Sequence, residues 1–327
     1  MHSPTRSLSS ASTENSPDNK SRSPHDTQFE TAQHLGAGDI AQRGSRSGED
    51  GNGAVLAGHT ASVPGNGSFS SRLGHYFLVE LDPRRADVIL VVCGFVGGLV
   101  DGLSFNAWGS FSSMQTGNTV FIALGASGQP EYPAFLWAKS LIALVVFLLS
   151  NVFFIHLCRA LTPLRRSTLI LSFGLQTAAL IVAAAVVQAG IVSPKPEDPR
   201  APIEWIQILP ITLLAFQAAG QICASRLLAF DEIPTVVLTT LLCDLLVDTN
   251  LYIRPWSANP KRNRRIAAFL ALFLGAMTAG GLSKTTTMAS SLWLAVALKG
   301  AITVSWFLWK DTSGAVRPKQ VLAESPV

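Results

Sequence analysis

Six long apolar runs constrain the fold of this chain more than any other feature of its sequence. Each is close to the roughly 20 residues that an α-helix needs to cross the ~30 Å hydrocarbon layer of a bilayer. The runs cover residues 86–108, 136–158, 168–191, 205–226, 265–283 and 288–309. The sequence therefore predicts an all-α, polytopic helical membrane protein, with the lipid bilayer as its main partner.

Two further apolar segments, residues 112–127 and 234–248, are too short to cross a bilayer comfortably. Each follows one long run and precedes two others, so the membrane domain divides into two halves, 86–191 and 205–309, with the same order of elements. This order is a weak internal repeat.

The basic residues of the loops indicate that the two short segments enter the bilayer and return. If the segments crossed it, Arg159, Arg165 and Arg166 would lie outside, against the positive-inside rule. If they re-enter, the basic loops and both termini lie in the cytosol, and the plasma membrane is the favoured location. Three crossings in each half then make the repeat inverted, as in many transporters.

Outside the membrane domain, which spans residues 86–310, the sequence is polar. Residues 1–70 are rich in Ser, Gly, Asn and Pro and cannot bury a core, so we expect a disordered cytosolic tail. Residues 71–85 form a juxtamembrane segment, and residues 311–327 a second cytosolic tail. No nucleic-acid partner is expected, and the oligomeric state is left open.

Neutral polar side chains in the two short segments are candidate substrate contacts. The first segment contains Gln115, Thr116 and Asn118, and the second contains Thr239 and Thr240. Such donors and acceptors suit a small polar solute, and paired short segments in corresponding halves indicate a transporter site. Alternatively, these groups only cap and cross-link helices.

Asp101 and Lys299 are ionisable residues within predicted membrane helices, where an unpaired charge costs several kcal/mol. We predict that they form a charge pair, either as a structural ion pair or as a site that titrates or releases its partner during transport. Gln217 and Gln221 are four residues apart, hence on one helix face, and are expected to face the same interior. We add Asp101, Gln217 and Gln221 to the candidate substrate-binding residues.

Transport of a small polar solute is the function that these features favour. The alternative is a non-transporting membrane scaffold or regulatory protein. An intramembrane enzyme ranks lower, because the sequence has no HExxH, GxSxG, CxxC or P-loop motif, and no catalytic residue is assigned. The four cysteines lie in apolar runs without a metal-binding spacing, so no metal or cofactor is expected.

The stretch "VDGLSFNAWGSFSSMQTGNTVFIALG" resembles the YoaK family of membrane proteins, also known as domain of unknown function 1275. That family has an Asp-containing first helix followed by a TGN segment, and a later Gly-Gln motif followed by a Thr-rich one. The matching residues here are Asp101, Thr116, Gly117, Asn118, Gly220, Gln221, Thr239 and Thr240. The resemblance covers residues 84–310 and implies a membrane fold without an assigned activity. Ile222 departs from the pattern, because an Asn is usual there.

Overall fold

The computed structural model describes residues 69–130, 133–193 and 203–312. These residues form helices and turns, with no strand among them. The helices are α1 (Phe69–Leu78), α2 (Ala86–Trp108), α3 (Gln115–Ala126), α4 (Leu136–Leu161), α5 (Arg166–Gln188), α6 (Ile208–Leu227), α7 (Thr239–Leu246), α8 (Pro260–Thr285) and α9 (Met288–Leu308). Nearly all of the first predicted tail and of the second lie outside the described residues, and α1 falls mainly in the predicted juxtamembrane segment.

Six of these helices, α2, α4, α5, α6, α8 and α9, are long and apolar enough to cross a membrane. They coincide with the six predicted runs and confirm the all-α, polytopic fold. Buried residues make up 67% of the apolar window of α2 and 61% of that of α6, but only 22% for α4 and 28% for α8. The first and fourth spans therefore form the centre, and α4 and α8 turn much of their apolar surface outward, as lipid-facing helices do.

One end of the bundle, which we call the basic end, holds Arg85, Arg166 and Lys310. There the start of α2 meets the end of α9, because the Asp82 N–H donates to the Lys310 carbonyl at 3.1 Å. The start of α5 joins them, since the Arg166 guanidinium donates to the carbonyl of Trp309 at 2.7 Å. The described chain thus begins and finishes its six spans at the same end.

The opposite end, which we call the distal end, holds the end of α2 and the start of α4. Here the Lys139 Nζ lies 3.4 Å from the Trp108 carbonyl and donates to Gln207 Oε1 at 2.5 Å. The start of α9 lies at this end too, because the Trp293 indole donates to Gln188 at the end of α5. Successive spans therefore alternate in direction.

The two halves of the membrane domain pack in equivalent ways. When α2 to α5 are matched in order with α6 to α9, the packing of α2 on α8 corresponds to the packing of α6 on α4. Because α5 is matched with α9, the contact between these two helices corresponds to itself. The halves run in opposite directions, because α2 starts at the basic end and α6 finishes there, with Leu228 in the same apolar cluster as Leu81 and Ala86. This is the inverted repeat that the sequence predicts.

Small residues allow α2 and α8 to approach to backbone contact. A Cβ at Gly98 would lie 2.0 Å from the Leu272 carbonyl oxygen, and one at Gly275 would lie 2.1 Å from the Phe95 carbonyl oxygen. Neither position has room for a side chain, so both need glycine. The glycine-bearing face of α2 therefore serves close helix packing, as small residues do in membrane proteins.

Candidate functional site

The connection that contains α3 enters the bundle from the distal end and returns to it. Its two ends meet there, because Lys139 at the start of α4 reaches the carbonyl of Trp108 at the end of α2. Between them, Ser112 and Ser113 bond to Asp101, which lies seven residues, or about 10 Å, inside α2. The first short segment is therefore re-entrant.

The connection that contains α7 enters from the basic end. It leaves α6 near Leu228, and α8 begins at the same end, where Arg264 bonds to Asp87 of α2 at 3.0 Å. In between, the Thr235 carbonyl reaches the middle of α2, so close that a Cβ at Gly97 would lie 3.1 Å from it. The second short segment is re-entrant as well, from the opposite side.

The tips of the two segments meet near the middle of the bundle. The first reaches the level of Asp101 on α2, and the second reaches the level of Gly97. These positions are four residues apart, which is about 6 Å along a helix axis. The two re-entrant segments, which are far apart in sequence, thus reach α2 within about one helical turn of each other.

Asp101 holds the first tip in place. Its carboxylate accepts the backbone N–H groups of Ser112 and Ser113 at 2.8 Å each, and the Ser112 hydroxyl at 2.7 Å. The Ser113 hydroxyl donates to its second oxygen. Four donors compensate this buried carboxylate, whose residue is 2% exposed, so its role is to fix an unwound backbone within the membrane domain.

Asn118 and Gln115 complete this hydrogen-bond network. The Asn118 amide oxygen accepts the Phe111 N–H at 3.0 Å, and its Nδ2 donates to the Phe111 carbonyl at 2.7 Å. The same Nδ2 donates to Gln115 Oε1 at 3.0 Å, while Gln115 Nε2 donates to the Ser112 carbonyl. Asn118 is fully buried, and its amide stabilises the unwound segment before α3 through these bonds.

The predicted pair between Asp101 and Lys299 is not formed. Lys299 Nζ donates to Gln221 Oε1 at 2.6 Å and lies 3.9 Å from the Cys93 sulfur. Cys93 is eight residues before Asp101, or about 12 Å along α2, so the lysine lies at a different depth from the carboxylate. Asp101 needs no pairing with Lys299, because the loop geometry lets Ser112 and Ser113 satisfy its carboxylate locally.

A recess of about 490 Å³ lies between the two tips. Its lining includes Ser113, Met114, Gln115 and Thr116 from the first segment, Val236, Val237, Leu238 and Thr239 from the second, Phe147 from α4 and Ile222 from α6. None of the described residues that line it is ionisable. The recess therefore offers a few neutral polar groups on a largely apolar wall.

Both short helices begin at the recess without a side-chain cap. The residue before α3 is Met114 and the residue before α7 is Leu238, and neither side chain accepts a backbone N–H. The first N–H groups of a helix have no acceptor within it and carry partial positive charge. In α3 the first of them, the Gln115 N–H, donates to the Ser113 carbonyl at 2.9 Å, and neither helix has an acidic residue in its first turn. The two helix starts therefore make the recess favourable for an electronegative group.

The recess unites only part of the set of residues that the sequence predicts. Gln115, Thr116 and Thr239 line it, whereas Thr240 is exposed outside its lining. Asp101 and Asn118 are buried in the supporting network. Their polar atoms are engaged within the chain.

Gln217 and Gln221 lie in the interior of the bundle, away from the lining of the recess. Gln221 joins α2 to α9, because its Nε2 donates to the Cys93 carbonyl at 2.8 Å and its Oε1 accepts from Lys299. Gln217 is fully buried, and neither its amide nitrogen nor its amide oxygen has a hydrogen-bond partner among the described residues. The expectation that both glutamines share an interior with Asp101 holds only in the sense that all three are buried.

Sequence reasoning missed several residues of the site. Ser112 and Ser113 bind Asp101, and the available sequence signal was their position before the TGN segment, from which two residues separate them. Phe147 and Ile222 are apolar residues within apolar helices, so no sequence signal distinguishes them from lipid-facing neighbours.

Comparison with known proteins gives a family but no characterised relative. No protein of curated function and no solved structure matches the chain. The family model described as "Protein of unknown function (DUF1275)" matches residues 89–305, which is more than half of the chain and includes all six spans in whole or in large part. The chain therefore belongs to the DUF1275 family of proteins of unknown function.

Proposed function

We propose that this integral membrane protein transports a small polar solute, which binds in the recess between α3 and α7. One observation carries the proposal: two re-entrant segments enter from opposite ends and meet at a single recess. In membrane proteins an unwound backbone is tolerated only where protein or a water-filled cavity satisfies it. Discontinuous helices paired across an inverted repeat are a recurrent way to build a transport site.

The lining of the recess favours a solute with both polar and apolar parts. Thr116 and Thr239 supply neutral hydroxyl groups, while Phe147 and Ile222 supply apolar surface. The Gln115 amide also lines the recess, but it is already bonded to Ser112 and Asn118 and offers only its remaining hydrogen-bonding capacity. The two uncapped helix starts favour an electronegative atom, such as a carboxylate or carbonyl oxygen. No catalytic step is part of this proposal.

The inverted repeat supplies a route for alternating access. The contact between α2 and α8 and the contact between α4 and α6 are equivalent under the repeat. A small movement at the contact between α2 and α8 would open the recess toward one end of the bundle. The equivalent movement at the contact between α4 and α6 would open it toward the other end. Rocking of one repeat against the other around a fixed site is the general scheme for such folds.

Loop charge supports an orientation with the basic end in the cytosol. Arg84, Arg85, Arg165 and Lys310 are at this end, and the positive-inside rule places such residues on the cytosolic side. Both ends of the membrane domain are then cytosolic, and the plasma membrane is the expected location.

A scaffold role is the second candidate, and a specific observation favours it. The polar atoms of Asp101 and Asn118, which the sequence predicts as substrate contacts, are already engaged by Ser112, Ser113 and Phe111 of the same chain. A protein whose polar groups serve helix packing alone binds no solute at the recess.

Two neighbouring threonines allow a sharp test. The purified full chain is screened for thermal stabilisation by a library of small amphipathic solutes, and hits are assayed for uptake into proteoliposomes. Thr239→Val removes the hydroxyl of a residue that lines the recess, and Thr240→Val makes the same change in a residue outside the lining. Transport predicts lost or weakened stabilisation and uptake for Thr239→Val alone. Equal behaviour of the two variants, or a library without hits, would favour the scaffold.

A further inference from the structure

A second recess, separate from the one between the short segments, lies at the basic end. It has a volume of about 410 Å³ and lies between the turn before α2 and the end of α9. Its lining residues are Asp82, Arg84, Arg85, Leu308, Trp309 and Lys310. The recess thus joins the last apolar residues of a span to a group of charged side chains.

The charges in this recess are unbalanced. Three cations face one carboxylate, that of Asp82. This carboxylate accepts the Arg84 backbone N–H at 3.0 Å, but its ion pair with the Arg84 side chain is long, at 3.8 Å, and that side chain is 77% exposed. An exposed pair of this kind contributes little. Arg85 and Lys310 have no carboxylate within ion-pair distance among the described residues. Two positive charges are therefore left in excess.

The recess also has the apolar surface that a lipid contacts. Leu308, the last residue of α9, is 83% exposed. The neighbouring Trp309 is held in place, because its indole N–H donates to the Asp82 carbonyl at 2.8 Å. Tryptophan at the end of a spanning helix is typical of the headgroup region. The cations therefore lie at the depth of lipid phosphates, with apolar surface beside them.

We propose that this recess binds the headgroup of an anionic phospholipid, with Arg85 and Lys310 as its main contacts. Basic pockets beside spanning helices attract anionic headgroups, at about 1 kcal/mol for each Lys or Arg near the surface. A zwitterionic headgroup carries its own ammonium, which the excess positive charge disfavours. A free phosphate ion has no chains to cover Leu308, so the proposal is specific to lipid.

The test uses the purified full chain in mixed micelles, with bound lipids counted by native mass spectrometry. Phosphatidylglycerol is expected to bind more tightly than phosphatidylcholine of the same chain length. Because 1 kcal/mol is about a five-fold change in affinity, the double variant Arg85→Gln/Lys310→Gln should lose about 25-fold in phosphatidylglycerol affinity. Its matched control is Arg254→Gln/Lys261→Gln, which removes the same two charges outside the lining of the recess.

The control pair should keep wild-type affinity, and millimolar inorganic phosphate should not displace the lipid. An equal loss in the control pair would reduce the effect to general surface charge and overturn the site. Equal affinity for the two lipids, or displacement by inorganic phosphate, would overturn the lipid assignment. These measurements do not involve transport, so they stand or fall independently of the solute site.

Discussion

Removal of the Asp101 carboxylate should be one of the most destabilising single changes in the membrane domain. Asp101→Ala leaves the backbone N–H groups of Ser112 and Ser113 without their acceptor, in a region where both serines are buried. An unpaired buried donor costs about 1–3 kcal/mol, so the two together should cost about 2–6 kcal/mol of unfolding free energy. The two serine hydroxyls can rotate toward other acceptors, so their contribution is left out.

Asp101→Asn is the informative companion. Its Oδ1 can still accept all three donors that bond to the Asp101 Oδ1, and its Nδ2 can donate to the Ser113 hydroxyl. Neutral hydrogen bonds replace charge-assisted ones, and we expect a cost of about 1–2 kcal/mol. The side chain of Asp244 is 60% exposed and lies 4.0 Å from Arg265, so Asp244→Ala is a control that should cost under about 1 kcal/mol.

The assay is reversible unfolding of the purified protein in mixed detergent micelles, with hydrogen exchange as the local readout. Asp101→Ala should also accelerate exchange in residues 110–118, because that segment loses its anchor. If Asp101→Ala costs no more than Asp244→Ala, or no more than Asp101→Asn, the anchoring role of the carboxylate is refuted.

Three further predictions test the packing and the topology. The effects of Asp101→Asn and Lys299→Met on unfolding free energy should add to within about 0.5 kcal/mol, because the two residues share no partner. A double variant much more stable than this sum would instead support an ion pair between them. Gly98→Ala should cost at least about 1–3 kcal/mol, since its Cβ would overlap a backbone carbonyl, whereas Gly94→Ala, with its nearest atom at 3.8 Å, should melt close to wild type; equal melting of the two variants would contradict the close approach of α2 and α8. A glycosylation sequon engineered into residues 195–200 should be modified in cells, and its absence, with the site far enough from the membrane, would reverse the proposed orientation.

The sequence predicted the membrane architecture because hydrophobic length is a strong one-dimensional signal. The six spans and the re-entry of the two short segments follow from apolar run length and from loop arginines such as Arg165. Both signals depend on composition over many residues. Neither requires knowledge of which side chains touch.

The sequence did not predict the partners of the buried polar residues. The sequence pairs Lys299 with Asp101 because a buried charge needs compensation. In the structure, Gln221 compensates Lys299, and Ser112 and Ser113 compensate Asp101. Which group compensates depends on how far the unwound segment reaches along α2, and that is a property of the loop in three dimensions. The charge of a buried residue shows that it needs a polar partner, but it does not identify which residue that partner is.

Access to the recess from both sides of the membrane tests the central claim most directly. Each of the four native cysteines is replaced by alanine, and a single cysteine is placed at Thr116, which lines the recess, or at Thr119, which lies on the same helix outside it. An anionic, membrane-impermeant methanethiosulfonate is then added to right-side-out or to inside-out vesicles. A transport site between the tips predicts that the cysteine at position 116 reacts from either side, while that at position 119 reacts from at most one. Reaction of position 116 from one side only, or from neither, would contradict a recess that opens alternately to both sides.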